Sequence, residues 1–224
     1  MFKFADNRDP ASYASRLRLR RDQWFASLIA DLPRPLSILD VGGTEKIWES
    51  VGLAGDPTVR VTLVNVEPVQ TTHSNIQFVL ADARDLKQFA DGYFDVIYSN
   101  SLIEHVGKFK DMKRMANEVR RVGKRYFVQT PNLYFPIEPH FLFPLFQFMP
   151  RAVRISLARF LDLGWIGRQP TWNAAQEAVD SINLLSIRQM HELFPDATIK
   201  REMLFGFTKS LIAYRMPSLS CSRR

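Results

Sequence analysis

The sequence predicts an α/β fold with a mainly parallel sheet that ends in an antiparallel hairpin, on three observations. A short apolar run, 38–41, is typical of a strand buried on both faces, and it stops at two glycines. The predicted elements follow the order β-α-β-loop-β-loop-β-α-β, which requires crossover connections between parallel strands. Two strand-like segments around Gly206, 198–204 and 210–215, are close enough along the chain to pair as a hairpin.

A single domain, residues 1–224, accounts for the length of the chain, which suffices for one large core with an insertion. The domain begins with a predicted amphipathic helix at about 13–32, which Pro33 and Pro35 bring to an end. Aromatic residues and prolines interrupt the rhythm of strands and helices at about 133–175. We expect this insertion either to add to the core or to form a wall over a binding site.

The remaining elements follow from apolar periodicity and capping residues. The predicted strands are 36–41, 60–66, 76–80, 94–99 and 126–130, and the predicted helices are 45–51, 109–122, 151–163 and 187–194. The last helix opens with a capping box, Ser186-Ile-Arg-Gln189.

The composition favours a soluble globular protein, since 46% of the residues are hydrophobic and 24% are charged. The single cysteine, Cys221, excludes a disulfide framework and is typical of a reducing compartment. The charged N-terminus has no secretory signal pattern, and prolines interrupt the longest aromatic stretch, 134–149. We therefore expect a cytoplasmic protein whose first residues, 1–12, are loosely ordered.

Basic residues exceed acidic ones, which gives a formal net charge of +7. They concentrate in three stretches, 16–21, 108–125 and 151–168. Such stretches attract phosphates, nucleic acid or acidic lipid, but more commonly they are solvated helix faces. Because the third stretch is interleaved with apolar residues, contact of the insertion with an anionic membrane is retained as an alternative.

Polar residues and glycines follow four of the predicted strands, where an open parallel sheet binds its ligand. They are Asp40, Gly42, Gly43, Glu67, Asp82 and Asn100. A carboxylate after the second strand, Glu67, suits both hydroxyls of a ribose. Asp82 could accept a hydrogen bond from an adenine amine beside the backbone N–H of Ala83. Any one of these acids could be a solvated loop residue, but their order along the chain indicates a nucleotide-containing ligand.

At these positions the sequence resembles the class I S-adenosylmethionine-dependent methyltransferases. The four motif-like segments are ILDVGG, VTLVNVEP, ADARDL and FDVIYSNSLIEHV, and the resemblance covers about 36–131 and, more loosely, 186–215. It implies a Rossmann-like, seven-stranded, mostly parallel sheet with helices on both faces, and S-adenosylmethionine as the cofactor. It also implies that the methionine moiety lies against Gly42 and Gly43, the ribose against Glu67, and the adenine against Asp82 and Ala83.

The chain departs from the family after the second glycine, where Thr44-Glu45-Lys46 replaces a further glycine pattern. This departure keeps a non-catalytic binding module with the same sheet as an alternative. A nicotinamide-dependent dehydrogenase is disfavoured, because its fingerprint needs a third glycine for close packing of helix against strand. The segment VQTPNLYFPIEPHFLFP resembles a bacterial subset associated with glycan or lipid-linked glycan metabolism. We therefore expect a small-molecule, glycan or lipid-linked acceptor, with a nucleic-acid acceptor as a further, unlikelier alternative.

Catalytic groups are expected among Glu104, His105 and His140, with Glu138 as a further candidate base. Glu104 and His105 follow the fourth strand, and His140 lies in the insertion. Histidine titrates near neutrality, which suits a general base if the acceptor must lose a proton. The alternative that these four residues bind a divalent metal was considered, but their spacing is not that of a standard metal motif. The prediction therefore includes no metal.

Overall fold

The computed structural model describes residues 13–216, so that the predicted loose order of 1–12 and the lone Cys221 lie outside the described residues. The helices are α1 (Tyr13–Ile29), α2 (Glu45–Ser50), α3 (Phe109–Val122), α4 (Arg151–Phe160), α5 (Trp172–Asp180) and α6 (Ile187–Leu193). The strands are β1 (Leu36–Val41), β2 (Val59–Asn65), β3 (Ile76–Leu80), β4 (Val96–Asn100), β5 (Tyr126–Pro131), β6 (Ile137–Glu138), β7 (Phe143–Pro144), β8 (Thr198–Leu204) and β9 (Phe207–Arg215).

Seven strands form the main sheet in the order β3-β2-β1-β4-β5-β9-β8. The first five strands run parallel, and β9 pairs antiparallel with both β5 and β8. The predicted α/β fold with its terminal hairpin is therefore confirmed. After β3 the chain returns to the other side of β1, so that β1 and β4 flank the point where the direction of winding reverses. Ligands of open α/β sheets bind at this point.

Helices cover both faces of the sheet, because successive residues of its central strands point to opposite sides. On one face Ile38 packs with Phe25 of α1 and Trp48 of α2 in one buried cluster. On the other face Leu39 belongs to a cluster with Met112 of α3 and with residues of α6. The sheet is thus buried on both sides, and its carboxyl edge is left as the place for a site.

The boundaries differ from the predictions mainly in and beside the insertion. Helix α4 ends at Phe160 rather than at 163, because Leu161 is already extended, with φ −108° and ψ 148°. Helix α5 was not predicted, and it begins at an N-cap in which the side chain of Thr171 accepts a bond from the backbone of Ala174. The expected boundary at 175 therefore falls inside a helix.

The insertion has a hydrophobic cluster of its own. Phe141 and Phe146 are buried and stack at 4.1 Å, and they pack with residues of α4 and α5. Other aromatic side chains of this segment, Phe148, Trp165 and Trp172, are partly exposed. Two of the aromatic residues therefore add to the core, as expected. None of the helices within residues 13–216 has the length and apolar character that crossing a bilayer requires.

Candidate active site

A cleft at the carboxyl ends of β1 to β4 has two hollows that meet at Gly42. The first lies against α1 and α2, and its lining includes Asp22, Asp40, Gly43 and Asn100. The second lies beyond β2 and β3, and its lining includes Asn65, Asp82, Ala83, Leu102 and His105. Together the two hollows form an elongated site across the reversal point of the sheet.

The two glycines after β1 are required by their surroundings. Gly42 has a φ of +81°, and a Cβ built there would lie 2.8 Å from the methyl carbons of Leu102. A Cβ at Gly43 would lie 1.9 Å from Oδ2 of Asp40. The first position needs glycine for its left-handed backbone, and the second needs it for the close approach of a carboxylate.

Asp40 is fully buried beneath this turn. Its Oδ2 accepts a hydrogen bond of 3.0 Å from Nε1 of Trp48, whereas its Oδ1 has no partner. Burial raises the pKa of Asp40 to about 8, and the nearby Asp22 acts in the same direction. An unpartnered carboxylate oxygen in the lining of a hollow is suited to a ligand that brings a hydrogen-bond donor or a positive charge.

The residues predicted to bind the adenine line the second hollow, whereas the residue predicted to bind the ribose does not. Asp82 and Ala83 line the second hollow, and Asp82 pairs with Arg84, whose hydrogen bonds lower the pKa of that carboxyl group. Glu67 is exposed and lies two residues beyond the end of β2. Asn65, the last residue of β2, lines the hollow in its place. The sequence gives no signal for Asn65, because a carboxylate is the group expected to bind a ribose after the second strand.

The loop after β4 and the insertion bring Glu104, His105 and His140 together, and we call these three residues the histidine cluster. Nε2 of His105 lies 3.1 Å from Nε2 of His140, and the two rings are perpendicular. One ligand atom from each of the three residues lies within 4.8 Å of the others. The three residues that were predicted as catalytic from separate segments are therefore neighbours.

Glu104 and His140 each have a partner outside the histidine cluster. Glu104 is fully buried, and its Oε2 accepts a bond of 2.9 Å from Oγ1 of Thr130, but its Oε1 has no partner. Nδ1 of His140 lies 2.7 Å from Oε1 of Glu138, which is 2% exposed. Thr130 was missed by the sequence analysis, since a threonine within a buried strand gives no signal of such a role.

These contacts set the protonation of the cluster. Burial raises the pKa of Glu104 to about 7. Partial burial of the ring, whose other side stays exposed, and the adjacent His140 lower the pKa of His105 to about 4. The pKa of His140 is raised, since Glu138 outweighs the opposing effect of burial. At neutral pH His105 is therefore neutral.

The backbone of the insertion fixes His140. The carbonyl oxygen of His140 accepts a bond of 2.9 Å from the N–H of Trp165. Gly164 has a φ of +48°, and a Cβ there would lie 2.4 Å from the same carbonyl oxygen. Glu138 also accepts bonds from the N–H groups of His140 and Phe141. The insertion thus places one side chain against the cleft and holds it from several directions.

Comparison with known proteins agrees with the residues of the cleft. A family model described as a methyltransferase domain matches residues 39–126. Uncharacterised proteins from two strains of Mycobacterium tuberculosis are 30% identical over 146 residues, which is 59% of this chain and 48% of each relative. The chain therefore spans about half the length of the curated relatives that it matches.

Solved structures of other proteins have a similar fold over most of this chain. One is a SAM-dependent methyltransferase from Methanosarcina mazei, with a TM-score of 0.52 and 18% identity, covering 84% of this chain and 97% of that one. Another is described as a putative zinc-dependent alcohol dehydrogenase from Rhodobacter sphaeroides, with a TM-score of 0.52 and 12% identity, covering 87% of each chain. At such identities the likeness shows the fold alone. The motif residues and the match to a methyltransferase-domain family therefore favour the methyltransferase class over the alcohol dehydrogenase class.

Proposed function

We propose that this chain is a class I S-adenosylmethionine-dependent methyltransferase, and that it methylates a small-molecule, glycan or lipid-linked acceptor at the histidine cluster. The observation that carries the proposal is the cleft at the carboxyl ends of β1 to β4, in which Gly42 of the glycine turn and His105 of the histidine cluster line the same hollow.

The cofactor of this family supplies an electrophilic methyl group on a positively charged sulfur. Gly42 and Gly43 line the first hollow and are the proposed contacts of its methionine moiety, and Oδ1 of Asp40 is an unpartnered atom in the same lining. Asp82 and the N–H of Ala83 are the proposed adenine contacts. For the ribose the two candidates are Asn65, which lines the hollow, and the exposed Glu67. Asn100 faces the methionine end.

The acceptor side is proposed to be the histidine cluster. In the transfer, the acceptor forms a bond to the methyl carbon as the carbon–sulfur bond breaks, and an oxygen or nitrogen acceptor loses one proton. Most of the rate of such a displacement can come from alignment of the two reactants. Glu104, with a pKa raised to about 7, and the neutral His105 are placed to receive the proton.

The chemical class of the acceptor follows from the surroundings of Glu138. A cavity beside it is lined by apolar side chains of the insertion, among them Phe141 and Phe146, and by the polar side chains of Gln147 and Arg154. Oε1 of Gln147 and Nε of Arg154 are buried without a partner. Such a lining suits an acceptor that is part apolar and part polar.

Calorimetric titration with S-adenosylmethionine tests the proposal, with a glycine variant as its probe. Gly42→Ala is expected to weaken binding at least tenfold, because the new methyl group would lie against Leu102 within the cleft. Gly206→Ala is the matched control, since Gly206 has the same φ of +81° but open space around its Cβ position. Both variants carry the same backbone strain, and only the first should lose the ligand.

An absence of heat and of thermal shift with the wild-type protein at millimolar ligand would refute the proposal and favour the non-catalytic module. Equal affinities of Gly42→Ala and Gly206→Ala for S-adenosylmethionine would show that the ligand does not bind beside Gly42. With binding established, release of S-adenosylhomocysteine in the presence of candidate acceptors identifies the acceptor class.

A further inference from the structure

We propose that Glu104, His105 and His140 bind one divalent transition-metal ion at the acceptor end of the cleft. The proposal deepens the proposed function and changes one part of it: with an ion bound, Glu104 and His105 hold the ion instead of receiving the proton of the acceptor. It does not require that the chain bind S-adenosylmethionine, and the two can be tested separately.

The geometry of the two imidazoles is that of ligands to one ion. With metal–nitrogen bonds of about 2.0–2.1 Å, two nitrogens on a tetrahedral ion are about 3.3 Å apart. The two Nε2 atoms here are 3.1 Å apart, and their rings are perpendicular. The separation of the two nitrogens is therefore close to that of two ligands on one ion.

The third ligand is a carboxylate oxygen of Glu104, which has no hydrogen-bond partner. Glu104 is fully buried, and Thr130 occupies its Oε2. Its Oε1 is without a partner, and one carboxylate oxygen of Glu104 lies within 4.8 Å of a ring nitrogen of each histidine. A buried carboxylate oxygen left unbonded is costly, and coordination to a cation removes that cost.

The outer contacts are those that orient metal ligands in proteins. His140 directs Nδ1 toward Glu138, which leaves Nε2 as the coordinating atom, and Thr130 fixes the carboxylate of Glu104. Hydrogen bonds of this kind set the tautomer and orientation of ligating side chains. Because His105 is exposed, coordination positions remain open toward the cleft for water or for an acceptor oxygen.

A second group of similar composition provides the contrast. Glu45, Glu49 and His73 also lie within reach of one another. There, however, Glu45 already accepts bonds from the backbone of Thr72 and His73 and from the hydroxyl of Thr72. His73 pairs with the exposed Glu49. That group has no buried unbonded oxygen, and we do not assign an ion to it.

Two imidazoles and one carboxylate favour zinc or another first-row transition metal over magnesium and calcium, which prefer oxygen ligands alone. Calorimetric titration of the chelator-treated full chain with zinc chloride is expected to give a stoichiometry of one. His105→Ala, His140→Ala and Glu104→Gln should each weaken binding about 100-fold or more. His73→Ala, the matched control in the second group, should bind as the wild type does.

Cobalt(II) supplies a readout that does not depend on activity, because its visible absorption reports the coordinating atoms. The wild type should show a d–d band that is lost in His105→Ala and retained in His73→Ala. If His140→Ala fails to fold, the exposed His105 and the amide variant of Glu104 still decide the question. Absence of zinc binding at millimolar concentration, or binding unchanged by these substitutions, would overturn the proposal while leaving a measured affinity for S-adenosylmethionine intact.

Discussion

The cofactor side and the acceptor side of the cleft lie at one edge of the sheet but are assembled differently. On the cofactor side, Asp40, Gly43 and Trp48 come from a single strand–turn–helix unit, and the contacts of Asp40 with the other two are local. On the acceptor side, the histidine cluster joins the loop after β4 to the insertion, across 35 residues between His105 and His140. The first side can form wherever β1 and α2 form, whereas the second requires the insertion to be folded.

The difference also concerns charge. The cofactor side keeps one unpartnered carboxylate oxygen beneath a tight turn, and the acceptor side surrounds its unpartnered oxygen with two imidazoles. Substitutions should therefore affect folding most strongly at the turn and ligand affinity most strongly at the cluster.

Substitution of Gly43 should produce the largest loss of stability. In Gly43→Ala the Cβ would collide with the buried carboxylate of Asp40, and we expect unfolding to become easier by about 3 kcal/mol or more. Gly55→Ala is the control, because its Cβ position is open although its φ is +82°. We expect about 1 kcal/mol there. Urea denaturation measures both, and an equal cost for the two would show that the turn is less tightly packed than described.

The second prediction concerns the pH dependence of stability through Asp40. Its pKa is raised by burial to about 8, so the neutral form is favoured on folding. The stabilisation is complete below the unfolded pKa of about 4 and is lost as the pH rises through about 8. Asp40→Asn removes this titration while its side-chain oxygen can still accept from Trp48.

The stability of Asp40→Asn relative to the wild type should therefore increase from pH 5 to pH 8, by at most about 1.4 kcal/mol per pH unit. Denaturation curves at several pH values measure the difference, in which contributions common to both proteins cancel. A difference that stays constant with pH would mean that Asp40 is already ionised in the folded protein.

On the acceptor side, Glu138→Gln tests the support of His140. The amide loses the charge that raises the pKa of His140 and that orients its ring, so we expect zinc affinity to fall about 10- to 100-fold. Glu177→Gln, at an exposed position of α5, is the control and should bind as the wild type. Calorimetry gives both affinities, and an unchanged affinity in Glu138→Gln would limit Glu138 to a structural role.

The smallest predicted effect separates the two candidates for the ribose. Asn65→Ala should weaken S-adenosylmethionine binding about fivefold, which corresponds to one hydrogen bond of about 1 kcal/mol. Glu67→Ala should change the affinity less, because Glu67 is exposed beyond the strand end. The reverse order in titrations of the two variants would restore the assignment made from the sequence.

Features that depend on local contacts can be predicted from this sequence, whereas features that depend on long-range contacts cannot. Strand β1 and helix α3 were predicted with the bounds that the structure has, since each depends on a local apolar pattern. Helix α5 was missed, because its amphipathic pattern is short and its N-cap, Thr171, adjoins a proline-rich segment.

The site divides in a similar way. The glycine turn is readable from consecutive residues, whereas the approach of His140 to His105 depends on the path of the insertion. The partner of Glu104, Thr130, lies on a different strand, and nothing in its neighbouring residues indicates that role. Spacing along the chain cannot reveal a cluster that two distant segments assemble.

The most direct test of the account asks whether the transferable methyl group lies beside the histidine cluster. Nuclear magnetic resonance of S-adenosylmethionine labelled with ¹³C in that methyl group can be recorded on protein loaded with cobalt(II), and with zinc as the diamagnetic control. We predict strong paramagnetic relaxation of the bound methyl signal with cobalt, and its loss in His105→Ala. A bound methyl signal that is the same with cobalt as with zinc would contradict the account.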